Sequence, residues 1–113
     1  DDITLQLRVK DGAIEDAGFI GTGCAISQAS ASLMIDLVKG RTVEEAHRLI
    51  ELYFRMIKGK ITEEELDELE DAAALQGIAR VPARVKCAVL AWHTLEEALD
   101  GEGKVEKVTT EEE

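Results

Sequence analysis

Cysteine, proline and positive charge are all scarce in this chain of 113 residues, and each scarcity closes off a class of protein. The two cysteines, Cys24 and Cys87, stand 63 positions apart, so no C-x-x-C pair exists for thiol–disulfide exchange or for a zinc ribbon. Lys and Arg number 13 against 24 Asp and Glu, a net charge of −11. That balance provides no basic footprint for nucleic acid and sets the chain against an anionic membrane surface. No apolar run approaches the ~20 residues of a membrane span, and no basic-then-apolar leader is legible. A cytoplasmic location is the resulting expectation, and in a reducing compartment two cysteines point to thiol or metal chemistry before a structural disulfide. The hydrophobic content of 45% suits one domain with its own core. The chain opens Asp1-Asp2, without methionine and directly ahead of a strand pattern, which reads as a natural N-terminus lying further upstream.

What is present is strongly patterned. Ile3, Leu5, Leu7 and Val9 alternate with Thr4, Gln6 and Arg8, the period of a half-buried strand, and Asp11-Gly12 then signals a hairpin into a second strand over Ala13–Ile20. A two-stranded ribbon is marginal in water, so helices are expected on one face. Ile26, Ala29, Leu33 and Leu37 give the first helical stripe, from Cys24 to about Lys39, with Gly40 as its stop. Thr42 with Glu45, and Thr62 with Glu65, are capping boxes that open a helix to about Lys58 and a short acidic helix. The acids of that short helix read as a solvated face and not as a cation site. Ile78–Val81 is expected to be extended ahead of Pro82, the single proline, which opens a last helix bearing Val85, Ala88, Val89, Trp92, Leu95 and Leu99 on one face. Domain limits of 1–101 follow, with 102–113 an acidic, disordered tail. The fold class is α+β, an antiparallel sheet under several helices.

Both cysteines lie near helix starts. Cys24 follows the glycine-bracketed turn Gly21-Thr22-Gly23, where the helix dipole favours a thiolate, and Cys87 is flanked by Arg84 and Lys86, cations able to support a thiolate or persulfide. The plainer alternative is that both are small buried hydrophobes, and that the chain is an acidic helical interaction module. Two thiolates are too few for a closed zinc site, so other ligands are required. His47 and His93 have the right chemistry but lie inside helices; Asp1, at the start of the strand that leads into the hairpin, is better placed. Of the serines after Cys24, Ser27 and Ser32 read as solvent-exposed.

Two strings carry a resemblance. Gly21-Thr22-Gly23-Cys24-Ala25-Ile26-Ser27-Gln28-Ala29-Ser30-Ala31-Ser32 and Pro82-Ala83-Arg84-Val85-Lys86-Cys87-Ala88 look like the iron–sulfur cluster assembly scaffolds of the IscU/NifU N-terminal family. In that family three cysteines and an aspartate converge, the aspartate belonging to a Cys-Gly-Asp motif ahead of the first strand seen here. By register that aspartate is similar in position to Asp1, which implies a metal or cluster site of Asp1, Cys24 and Cys87, with a Cys-Gly pair, a strand and a helix of the family upstream of residue 1. Lys86 stands where IscU proteins have a histidine, and Val81-Pro82-Ala83-Arg84-Val85-Lys86 replaces their chaperone motif Leu-Pro-Pro-Val-Lys. Together with the long segment between Gly59 and Pro82, this resembles the SufU branch. The resemblance implies a scaffold for a [2Fe–2S] cluster or a zinc-dependent acceptor of persulfide sulfur, not an enzyme in its own right. It implies as partners a cysteine desulfurase of the SufS type and apo iron–sulfur proteins as recipients, and it is compatible with a homo-oligomer. The acceptor cysteine of that branch is the one upstream of residue 1.

Overall fold

In the computed structural model, which describes residues 2–100 and 105–111, the alternating segment forms β1 (Asp2–Lys10) and turns through Asp11-Gly12 into β2 (Ala13–Thr22). Both turn residues have positive φ, 52° at Asp11 and 77° at Gly12, which a two-residue hairpin needs for its twist to match that of the strands. The register pairs Leu5 with Phe19 and Leu7 with Ala17, and it shifts by a bulge between Arg8 and Val9. Ile3, Leu5, Leu7 and Ile14 are thereby buried on one face, while Gln6 and Arg8 point to solvent on the other. Asp2 and Ile3 pair with Thr22 and Gly21, so β2 runs two residues past the expected end at Ile20.

Helices cover the inner face. They are α1 (Ala25–Val38), α2 (Val43–Ile57), α3 (Glu63–Glu68) and α4 (Pro82–Asp100). Both capping boxes form, the threonine hydroxyl accepting from the backbone N–H three residues on while the glutamate accepts from the threonine N–H. Helix α4 buries Ala88, Ala91, Trp92, Leu95, Ala98 and Leu99. Val85 and Val89, expected on that face, are only half-buried. Small residues meet where α1 packs on α4: Ser27, Ser30 and Ala31 on one helix, Ala88 and Ala91 on the other, all buried. Without long side chains between them, the two backbones approach closely.

Two expectations are corrected. Ile78–Val81 is not an extended lead-in, because a 3₁₀ segment runs from Glu70 to Arg80 and, of these four residues, only Val81, at φ −125° and ψ 80°, lies outside it. Leu69 and Ala72 are buried in the core and draw this stretch against α1 and α2, and short-range backbone bonds satisfy its amides there. Nor is the whole of 102–113 a disordered tail, since Val105–Glu111 forms β3, antiparallel to β1, in the sheet order β2-β1-β3. Acidic composition argues against a core but not against backbone pairing. The outer edge of β1 presents N–H and C=O groups, and a segment holding Val105, Val108, Thr109 and Thr110 has the strand propensity to take them. The remainder of that expected tail and the limit at residue 101 lie outside the described residues. The architecture is α+β, a three-stranded antiparallel sheet under a layer of helices.

Candidate metal centre

The β2-to-α1 turn sets the position of the first thiol. Gly23 has a φ of 148°, a conformation that side chains disfavour, and it redirects the chain from the strand into the helix. Cys24 is then the N-cap of α1, extended at φ −72° and ψ 162°, so its side chain lies over the first turn. Its sulfur is 3.4 Å from the Ser27 hydroxyl oxygen. No regular capping hydrogen bond forms, but the N–H groups of Ser27 and Ile26 point toward the sulfur and stabilise a negative charge on it. The thiol pKa is lowered to about 6, chiefly by the Ser27 hydroxyl, with the Ser27 N–H, a hydrogen bond from the Cys87 thiol and the Ile26 N–H adding to it against the opposing effect of burial. Cys24 is therefore largely a thiolate at neutral pH.

The structure brings Cys24 and Cys87 into hydrogen-bonding contact across the α1–α4 junction, and both are half-buried. Cys87 is the sixth residue of α4 and lies beyond its first turn. Arg84 and Lys86 are exposed, and neither is among the groups that lower the Cys24 pKa. The hydroxyl and amides of α1 do that work. Asp1 lies outside the described residues, but the backbone of its neighbour Asp2 pairs with Thr22, two positions before Cys24. The start of β1 is thus at the same end of the sheet as the Cys24 turn. His47 instead faces Asp100 at 3.8 Å, and His93 stacks on Phe54 with ring centroids 4.5 Å apart. Among the described residues no cluster of three or more His, Cys, Asp or Glu side chains forms, so the described part of the site is the cysteine pair.

Sequence reasoning misplaced Ser27. Expected at the surface, it is fully buried and in contact with Cys24. The available signal was its spacing, because the third helical residue is where a capping residue finds its partner. The donor set is chemically selective: two adjacent sulfurs, one of them a thiolate, suit Zn²⁺ or an iron–sulfur cluster and do not suit Mg²⁺ or Ca²⁺.

Residues 1–104 match the NifU-like N-terminal domain. The chain belongs to that family. It is 50% identical over 99 residues to the iron–sulfur cluster assembly scaffold protein IscU of Thermotoga maritima, covering 88% of this chain and 68% of that protein. It is 41% identical over 99 residues to the zinc-dependent sulfurtransferase SufU of Bacillus subtilis, covering 88% of this chain and 67% of that one. Among solved structures, a proposed SUF-system iron–sulfur cluster assembly scaffold from Fervidobacterium islandicum superposes with a TM-score of 0.80 at 38% identity, over 86% of this chain and 70% of that chain. Among the described residues no helix is long and apolar enough to cross a membrane.

Proposed function

We propose that this NifU-like domain acts in iron–sulfur cluster assembly, with Cys24, Cys87 and Asp1 as its metal-binding residues, and that it serves as a scaffold or sulfur acceptor and not as an enzyme in its own right. The observation that carries the reading is the meeting of the two thiols at the start of α1, in a chain with relatives named as cluster scaffolds and as a zinc-dependent sulfurtransferase. Bound Zn²⁺ would neutralise the thiolates and hold them in one geometry; a [2Fe–2S] cluster at the same donors would be cargo, built and passed to apo iron–sulfur proteins. The protein's own contribution is a preformed donor pair. Ser27 and the first-turn amides keep Cys24 ionised, and the α1–α4 junction holds Cys87 against it. Arg84 and Lys86, exposed next to Cys87, are the residues to meet a cysteine desulfurase of the SufS type. An acidic helical module would leave both cysteines incidental, and their convergence speaks against it.

Zinc titration of the metal-free chain against a chromophoric chelator tests the reading. Wild type should bind one equivalent, and Cys24→Ser and Cys87→Ser should each weaken binding by more than the about 10–100-fold that loss of an outer-shell partner costs. With a segment ending in Cys-Gly added before Asp1, alanine formation by the desulfurase should rise when the otherwise wild-type protein is added and not when either variant is. Unchanged zinc affinity in both variants would withdraw the assignment.

A further inference from the structure

A buried polar cluster joins α1, α2 and α4 next to the thiols. Ser30, Tyr53 and Trp92 are each fully buried, one on each of α1, α2 and α4, and all three are hydrogen-bonded at one point. The Ser30 hydroxyl donates to the Ala88 carbonyl at 2.6 Å and accepts from the Trp92 indole N–H at 2.9 Å. The Tyr53 hydroxyl donates to the same carbonyl at 2.7 Å. The two hydroxyl oxygens also lie within hydrogen-bond distance of each other, at 3.3 Å, so the two side chains and the Ala88 carbonyl close one network. The Tyr53 ring lies flat on Trp92, with centroids 3.8 Å apart and planes 5° from parallel. Burial pushes the Tyr53 pKa up to about 12, so it stays a phenol and a donor.

The target of the cluster is informative. Ala88 directly follows Cys87, and its carbonyl is one that a regular helix already pairs with the backbone N–H four residues on. Two further buried donors on that oxygen are more than satisfaction of the helix requires. One of them comes from α1, the helix that Cys24 caps, and Ser27 lies between it and the thiol, one turn from each. A fully apolar α1–α4 contact would bury the same surface but would let the helices slide and rotate within their van der Waals contact. Directional bonds to the peptide beside Cys87 fix the axial position of α4 against α1, and with it the separation of the sulfurs.

We infer that Ser30, Tyr53 and Trp92 are positioning residues for the Cys24–Cys87 pair, acting through the Ala88 carbonyl to hold the two sulfurs at the spacing a shared ligand atom needs. The inference rests on the proposed site in that it takes the thiol pair as functional. It does not depend on which metal is bound.

Phenylarsine oxide reads the spacing without any metal. It condenses with two neighbouring thiols, forming two As–S bonds and releasing its oxygen as water, and it binds a lone thiol poorly. Metal-free wild type, Ser30→Ala, Tyr53→Phe and Trp92→Phe are titrated with it and, separately, with Zn²⁺. Leu69→Ala serves as a reference for lost stability, since it truncates a buried residue at the far end of α3 and touches no hydrogen bond of the cluster. Tyr53→Phe keeps the ring stack and deletes only the donor, so it guards against a variant that fails to fold. Each cluster variant should weaken both ligands by about 10-fold or more, the cost of losing an outer-shell partner. Leu69→Ala, once folded, should leave both affinities near wild type, as a site with no shared partners does. Wild-type affinity in all three cluster variants would overturn the inference. So would losses that match that of Leu69→Ala at equal loss of stability, because the cluster would then be a fold element only. If the variants lose the arsenical while wild type never binds zinc, the positioning role stands and the metal reading of the site falls.

Discussion

The side chain that most changes the chemistry of this molecule is the hydroxyl of Ser27. A thiol at a helix N-terminus is already favoured as its anion by the unpaired amides of the first turn. Here the hydroxyl 3.4 Å from the sulfur is the largest contribution to a pKa of about 6. The direction of the pH effect follows from that lowering: the reactive thiolate is present above about pH 6 and is lost as the pH falls through it. Iodoacetamide labelling of metal-free protein, resolved by peptide mass, should show Cys24 reacting on a plateau at pH 7 to 8 and slowing below about pH 6. In Ser27→Ala the midpoint should move upward, toward the ordinary thiol value. A midpoint unmoved by that change would assign the lowering to the helix amides and the Cys87 thiol. Ser27 and Ser30 are also where the sequence was least legible at this scale. A serine in a helix is as well explained by water as by a buried partner; Ser27 finds its partner, Cys24, only three residues away, whereas the partner of Ser30, Ala88, is 58 residues away in the chain.

Local pattern carries most of the elements, because local energetics decides them. The β1–β2 hairpin was readable from alternation plus Asp11-Gly12, since side-chain period and turn conformation are both short-range properties. The capping boxes of α2 and α3 were readable for the same reason. Thr42→Ala removes a side-chain acceptor for one first-turn amide and should cost about 1 kcal/mol in a denaturant melt. The 3₁₀ segment and β3 were not readable, because each is decided by what it lies against. Glu70–Arg80 packs on α1 and α2, and Val105–Glu111 takes the edge of β1. A chain shortened to remove 105–113 tests the second of these. Hydrogen exchange should quicken at alternate amides of β1, those that face β3, while the amides that face β2 stay protected. Equal protection in both chains would mean that β3 contributes nothing to the edge in solution.

Over the whole molecule the charge is one-sided, at −11, and the described ion pairs engage Lys39, Arg41, Arg48 and Arg55 with carboxylates. Arg80, Arg84 and Lys86 enter no ion pair among the described residues, and all three are exposed on the approach to Cys87. Arg8, Lys10, Lys58 and Lys60 likewise enter none among the described residues and are exposed, so what sets Arg80, Arg84 and Lys86 apart is their place next to Cys87 in the chain, where positive charge on an acidic protein can orient an acidic partner. Arg84→Ala and Lys86→Ala should therefore lower the stimulation of a cysteine desulfurase, chiefly through slower association. The wild-type rate should also fall with added salt, by more than the rates of the variants do. Stability should change by no more than about 0.5 kcal/mol, as for other surface substitutions that break no contact. A large fall in melting temperature would instead place Arg84 in a structural network. Desulfurase stimulation that is insensitive to both substitutions and to salt would move the docking surface away from the start of α4, and the partner would then have to reach the thiols from the β2–α1 turn.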